Sequence, residues 1–395
     1  MLSTLIFIVD FPFTDRDHAR HGIDFLKRSF TVLIVDCTPL IKPSSYEKYR
    51  DTICTHINLK SINSFDQMAQ IIHEFGRDSL AVDLLGPDSM CRQIRMLLKE
   101  RKIPYMILQL GLLPTAGITA RLKMGEWASL KKSPLEFIGL LRRKIAQATL
   151  SSPYPDIALC SGRAGFADPR LKGVAHKIMA HSFDYDSYLE HQSSTVGDIK
   201  PYAVFLDEDM FYHFDYEYLS IKPPVTEQKY YKSLLDFFDR FETVTGLEIV
   251  IAAHPRSRYF LRQHLLGGRR FYQHKTPPIV RDATLVLCHA STSISYAVLW
   301  KKPLFFLTSD ELKVSFVGSR VKMLSSLLGA TVFNIDERID LPSTDTMTKI
   351  NKQAYANYKE MYIKIPGTPD KAIWEIFFEY LKNIYGNRSA PIDPL

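Results

Sequence analysis

The sequence predicts an α/β protein made of two doubly wound halves. Three observations carry this. Short apolar runs of strand length alternate with helical stretches throughout the chain. A polar stretch, Glu190–Lys200, interrupts the alternation near the middle. In the second half, successive apolar runs each end in a polar cluster, as strands do where an open parallel sheet binds its ligand.

The first half opens with Leu5–Val9, a buried-strand run that breaks at Asp10. A helical segment, His18–Arg28, leads to a second run, Thr31–Val35, which ends at Asp36. The turn after the first strand holds no G-x-G-x-x-G, so a dinucleotide site of dehydrogenase type is not indicated. Helices are predicted over Phe65–Phe75, capped by Ser64, and over Asp88–Lys102, with strands over Ser79–Leu85 and Pro104–Leu108. A loop, Gly111–Gly117, follows. Asp156–Cys160 is expected as the last strand of a Rossmann-like domain spanning residues 1–192.

The second domain, residues 201–395, starts with the strand Tyr202–Leu206. A helix over Glu227–Thr243 ends at Gly246, a left-handed cap. Strands over Ile249–Ala253, Leu285–Cys288, Leu304–Leu307 and Val332–Ile335 follow, with a helical stretch over Ile294–Trp300. Ser343–Glu360 and Asp370–Tyr385 are predicted as C-terminal helices, the last of which could cross back to the first domain.

The chain has 395 residues and a formal net charge of +7, which suits an anionic ligand or lipid surface. No aromatic-basic pattern of a nucleic-acid module stands out, so no nucleic-acid partner is expected. The five cysteines form no C-x-x-C pair, so buried free thiols are expected and no zinc motif is evident. The N-terminus lacks a basic signal region and no window reaches a membrane span, which predicts a cytoplasmic protein. Arg121–Gln147 carries seven Lys or Arg against two acids, with Leu135, Ile138, Leu141 and Ile145 at helical spacing. It reads as a surface helix, or as a segment that rests peripherally on anionic lipid.

Three clusters could carry chemistry. Asp207, Glu208 and Asp209 follow the strand Tyr202–Leu206, and one of them could serve as a general base. Asp207-x-Asp209 also has the form of a D-x-D metal pair, although His254 and Arg256 already supply positive charge. His254-Pro255-Arg256 follows Ile249–Ala253. The proline stiffens the turn, which aims the imidazole outward, and Arg256 offers a fork for phosphate oxygens. Ser291-Thr292-Ser293 lies between a strand and a helical stretch, where hydroxyls cap and can bind an anion. Lys275 and Thr276 could reach the same place. A nucleotide phosphate is the first ligand these groups suggest.

In their order, these clusters resemble the D/E-D/E-G, H-P and S-S or S-T motifs of bacterial sialyltransferases and polysialyltransferases of GT-B fold. The stretch HASTSISYAVLWKKPLFFL also resembles the donor domain of capsule and lipopolysaccharide glycosyltransferases, the Kdo transferases among them. The resemblance covers Tyr202–Leu307. It implies two Rossmann-like domains facing across a cleft, and an inverting transfer of a nonulosonic sugar from a CMP donor to a surface glycan or glycolipid. No cofactor and no metal are implied for the chemical step. It implies a catalytic base among Asp207, Glu208 and Asp209, His254 as the group that binds and protonates the leaving phosphate, and Ser291–Ser293 as its further binders. Here Asp-Glu-Asp-Met replaces two acids and a glycine, so the frame of the base stays open, with Asp207 slightly favoured. Acceptor binding is expected in the first domain, at loops such as Asp10–Arg20, where Arg16, Arg20 and His21 are candidates. A CDP-polyol phosphotransferase, a UDP-sugar 2-epimerase and a non-catalytic capsule-assembly protein are the rival readings.

Overall fold

The computed structural model describes residues 2–114, 153–192, 200–213, 216, 221–338, 340–343 and 346–385. The basic segment Arg121–Gln147 lies outside them. Among the described residues, packing divides the chain into two units: 2–110, 153–183 and 367–385 in the first, 111–114 and those from 184 to 366 in the second.

The first unit holds strands β1 (Thr4–Val9), β2 (Thr31–Asp36), β3 (Leu59–Ser61), β4 (Ser79–Leu84), β5 (Tyr105–Gln109), β6 (Ile157–Ser161) and β7 (His176–Ala180). They form one parallel sheet in the order β3-β2-β1-β4-β5-β6-β7. Side chains alternate across a strand, so β1 is apolar on both faces. Leu5, Phe7 and Val9 pack on one side, Ile6 and Ile8 on the other. The second side is covered by the helices Phe65–His73 and Ser89–Glu100, the former capped by Ser64 Oγ accepting from Gln67 N at 3.3 Å. The first side is closed by the C-terminal helix Ile373–Tyr385. Its Trp374 ring lies 5.8 Å from Phe7, and its indole N–H donates to Arg20 O at 3.0 Å. Gly22, at φ +56°, gives way to that indole, because a Cβ there would stand 2.7 Å from it.

The second unit holds β8 (Tyr202–Leu206), β9 (Glu248–Ala253), β10 (Phe271–Gln273), β11 (Leu285–Cys288), β12 (Leu304–Thr308) and β13 (Val332–Asn334), parallel throughout, in the order β10-β9-β8-β11-β12-β13. The helix Glu227–Thr245 buries Tyr230, Leu234, Phe237, Phe238 and Phe241 and ends at Gly246, φ +67°. Both sheets therefore have the Rossmann order, and the α/β class with two Rossmann-like units is what the sequence predicts.

Some elements differ from expectation. β7, not β6, is the last strand of the first sheet; only Ile178 and Ala180 are buried in it, too few to mark a strand. The single helix expected over Ser343–Glu360 is a 3₁₀ turn at Thr346–Thr348, a helix at Lys352–Tyr358 and a π-helical turn at Lys359–Ile363. Asn351 starts the helix afresh by accepting from Ala354 N at 3.0 Å. All five cysteines are buried and free. No helix among the described residues is long and apolar enough to cross a membrane.

Candidate active site

The predicted residues gather along one edge of the second sheet. In a parallel sheet all carboxyl ends lie together, and a crevice opens where strand order reverses. Here that point falls between β8 and β11. Along the edge stand Lys275 beyond β10, His254 beyond β9, Asp207–Asp209 beyond β8 and Ser291 beyond β11. At about 4.8 Å between strands, the ends of β9 and β11 are on the order of 10 Å apart, with the acids between them.

The three acids have different surroundings. Asp207 is buried, and its Oδ2 accepts from Asp209 N at 3.0 Å. Burial, then the nearby Asp209 charge, pushes its carboxyl up to about 7. Asp209 is 2% exposed, sits in a left-handed conformation at φ +48°, and is ion-paired with Arg262 at 3.0 Å. Burial raises its pKa and Arg262 opposes the rise. Arg262 is itself stacked 3.7 Å over the Tyr212 ring. Glu208 alone of the three is only half-buried. Its Oε1 accepts from Ala290 N at 2.6 Å, which joins the end of β8 to the loop before the hydroxyl cluster. Burial pushes this carboxyl up to about 7, while the Ala290 N–H and the charge of Arg320 pull it down.

The His-Pro turn is held by a residue that sequence reading passed over. Gln273, the last residue of β10, donates to the carbonyls of His254 (3.2 Å), Pro255 (2.9 Å) and Ser257 (2.9 Å). His254 Nδ1 accepts from Arg256 N at 3.3 Å, so the proton of the neutral ring belongs on Nε2. The His213 ring lies 4.8 Å from that of His254. His254, Pro255 and Arg256 are all half-buried.

In the hydroxyl cluster, Ser291 Oγ accepts from Ser293 N at 3.2 Å, Thr292 is exposed, and Ser293 precedes the short helix Ile294–Leu299. The loop is anchored by His289, which is fully buried. Its Nδ1 donates to Leu307 O at 2.8 Å, leaving Nε2 to accept from the Tyr230 hydroxyl at 2.9 Å. Burial lowers His289 to about 4, so it stays neutral. Lys275 is exposed and Thr276 opens the helix Thr276–Asp282. No side-chain hydrogen bond among the described residues ties either one to the His-Pro turn or the hydroxyls.

Arg320 is the second residue that the sequence did not flag. It lies on the helix Phe316–Leu328, its charge acts on Glu208, and its guanidinium is 5.6 Å from the Phe316 ring. Phe316 in turn meets Tyr216, and Tyr216 meets His213. Arg320, Glu208 and His254 are thus linked through a few contacts, although they lie far apart in sequence.

In the first unit, His21 departs from expectation. It is buried among Phe7, Phe13, Phe183 and Trp374, and burial lowers it to about 3. It is a neutral core ring, not a group offered to an acceptor. The Arg20 guanidinium lies 4.2 Å over the Phe183 ring, and Arg16 is exposed.

No protein-family model matches the chain, and no curated protein matches it. Among solved structures, MnaA of S. aureus in a co-structure with UDP is similar at 10% identity and TM-score 0.49, over the whole of both chains (100% and 100%). The UDP-GlcNAc 2-epimerase of Methanocaldococcus jannaschii, in complex with UDP-GlcNAc and UDP, is similar at 12% identity and TM-score 0.45, covering 95% of this chain and 99% of that one. MurG of Acinetobacter baumannii is similar at 9% identity and TM-score 0.46, covering 96% and 99%. None of these three is a sialyltransferase or a Kdo transferase.

Proposed function

We propose that this chain is a glycosyltransferase using a nucleotide-sugar donor, and that the donor is a CMP-linked nonulosonic or Kdo-type sugar. One observation carries the reading: an acid triplet, a His-Pro-Arg turn and a hydroxyl cluster stand side by side at the strand-order reversal of the second sheet. That is where doubly wound sheets bind ligands.

Glu208 is the carboxylate we assign as general base. Asp209 is tied to Arg262 and Asp207 is buried behind the Asp209 N–H, whereas Glu208 keeps some exposure beside the hydroxyl cluster. A carboxyl raised to about 7 is suited to taking a proton at neutral pH. It removes the proton of an acceptor hydroxyl as that oxygen bonds to the anomeric carbon. The anomeric carbon–phosphate oxygen bond breaks with its electron pair on the nucleotide. His254, Arg256, Ser291, Thr292 and Ser293 receive the phosphate, which leaves as an anion and accepts a hydrogen bond from His254 Nε2–H. Arg320 adds a further positive charge near Glu208. The configuration inverts, since a single displacement is used. No metal is needed for this step, because His254 and Arg256 supply the charge and Asp209 of the D-x-D pair is committed to Arg262.

A nucleotide panel followed by thermal shift tests the proposal. CMP should raise the midpoint more than UDP, GDP or CDP, and His254→Ala should remove the CMP effect. A preference for UDP would overturn the donor assignment. An unchanged CMP shift and full turnover in His254→Ala would overturn the site.

A further inference from the structure

A second cluster lies in the first unit, at the start of the helix Asp15–Arg20. Asp15, Cys54 and His56 each offer one ligand atom, and the three atoms lie within 4.8 Å of one another. The sequence gives no hint of this, since 38 residues separate Asp15 from the segment Cys54-Thr55-His56.

The backbone explains the meeting. Thr14 caps the helix Asp15–Arg20, and the Asp17 carboxylate is consumed in that cap, accepting from Thr14 N at 3.0 Å and Thr14 Oγ1 at 2.8 Å. Asp15 is left pointing elsewhere. Cys54 N donates to Phe13 O at 2.8 Å, which lays the later loop against the start of this helix. The Cys54 sulfur then lies 3.6 Å from each ring nitrogen of His56, and His56 Nδ1 lies 3.8 Å from Asp15 Oδ1. The His18 ring stands edge-on to His56, with centroids 5.0 Å apart.

A small turn of the exposed His56 and Asp15 side chains brings these separations to those of a tetrahedral ion. With Zn–S about 2.3 Å and Zn–N about 2.0–2.1 Å, the S···N edge of the tetrahedron is about 3.5 Å and the N···O edge about 3.3 Å. A thiol, an imidazole and a carboxylate are together a ligand set for a borderline-soft divalent cation, not for Mg²⁺ or Ca²⁺. The thiol is buried, with burial raising its pKa to about 11, so in the absence of a cation it is protonated and no nucleophile. A bound cation would displace that proton. Asp15 and His56 are largely exposed, so an ion can enter from solvent and the fourth position is open to water.

We propose that Asp15, Cys54 and His56 form a Zn²⁺-binding site on the first unit, with three protein ligands. It is independent of the glycosyl-transfer reading and adds nothing to the chemistry proposed there.

The test uses the full-length, untagged, chelator-treated protein, titrated with Co²⁺ as a spectroscopic probe and with Zn²⁺ in competition. One equivalent of Co²⁺ should bind and give a thiolate-to-cobalt charge-transfer band, which one equivalent of Zn²⁺ displaces. Cys54→Ser should abolish the band. Because Cys54 is buried and its variant could unfold, His56→Ala and Asp15→Asn, both at exposed side chains, are the parallel tests. Each should weaken Co²⁺ binding at least tenfold with an unchanged circular dichroism spectrum. A wild-type protein without a charge-transfer band, or a His56→Ala protein that binds Co²⁺ as tightly as wild type, would overturn the site.

Discussion

Glu208→Gln should stabilise the protein at pH 8 and do much less at pH 5. In the folded chain burial holds the Glu208 proton up to about pH 7, whereas the unfolded carboxyl releases it near 4.5. The stability tied to that proton is complete below about pH 4.5 and fades as pH rises through 7. Each tenfold difference in proton affinity is worth about 1.4 kcal/mol, so ionisation of Glu208 in the folded chain, the unfolded chain or both costs the wild type about 3 kcal/mol of stability at pH 8 and about 1 kcal/mol at pH 5. Glutamine has the same shape and leaves Oε1 for the Ala290 N–H, but it carries no charge. The advantage of the variant should therefore grow by about 2 kcal/mol between the two pH values. For a unit of this size that is a melting-temperature gain of roughly 4–8 °C, read by calorimetry of both proteins at both pH values. The same substitution should abolish turnover. A difference between variant and wild type that is equal at pH 5 and pH 8 would refute the reasoning, since Glu208 would then ionise like a solvated carboxyl.

Four further outcomes follow from the same geometry. Arg262→Ala strips the partner from Asp209, which is 2% exposed, and should cost about 3–5 kcal/mol in urea unfolding, with much of the loss recovered in Arg262→Ala/Asp209→Asn. Gln273→Ala removes the donor shared by three carbonyls of the His-Pro turn and should weaken CMP binding about tenfold by calorimetric titration, at a stability cost of about 1–3 kcal/mol. Arg320→Met takes away a charge that favours the ionised form of Glu208, so the rising limb of the rate against pH should move from near 7 to higher pH. Gly318→Ala would place a Cβ 2.1 Å from Leu312 O and should cost more than Gly246→Ala, where nothing lies within 4 Å and only the left-handed backbone resists, at about 1–2 kcal/mol. Chemical denaturation of the two variants side by side checks the ranking.

The sequence is most legible where one local signal decides the outcome. β1, β8, β9 and β11 are near-continuous apolar runs because both faces of each sheet are covered. Ser64 and Gly246 mark helix ends through their own side chain or backbone. β3 and β10 are edge strands of three residues each, with no fully buried residue, so neither alternation nor an apolar run announces them. Missing β10 also hid Gln273. The acid, His-Pro and hydroxyl clusters were visible because each follows a readable strand. Arg320 was not, because its relation to Glu208 depends on how the helix Phe316–Leu328 packs. His21 misled for the opposite reason: a basic residue in a loop region looks available until Trp374, more than 350 residues later in the chain, covers it.

That late covering also sets an order of assembly. As the chain leaves the ribosome, residues up to Phe183 emerge with one face of their sheet unfinished, since Ile373, Trp374, Ile376, Phe377 and Leu381 supply the other half of that packing. The second unit ends at Pro366, and the buried residues of its core run no further than Ile363. The first unit to be synthesised is therefore the last that can finish folding. In the interval Phe7, Ile23, Leu26 and Ile178 face water, a state in which unfinished sheets aggregate. A stop codon before Ile373 would make that interval permanent, even though it removes no residue of the proposed active site.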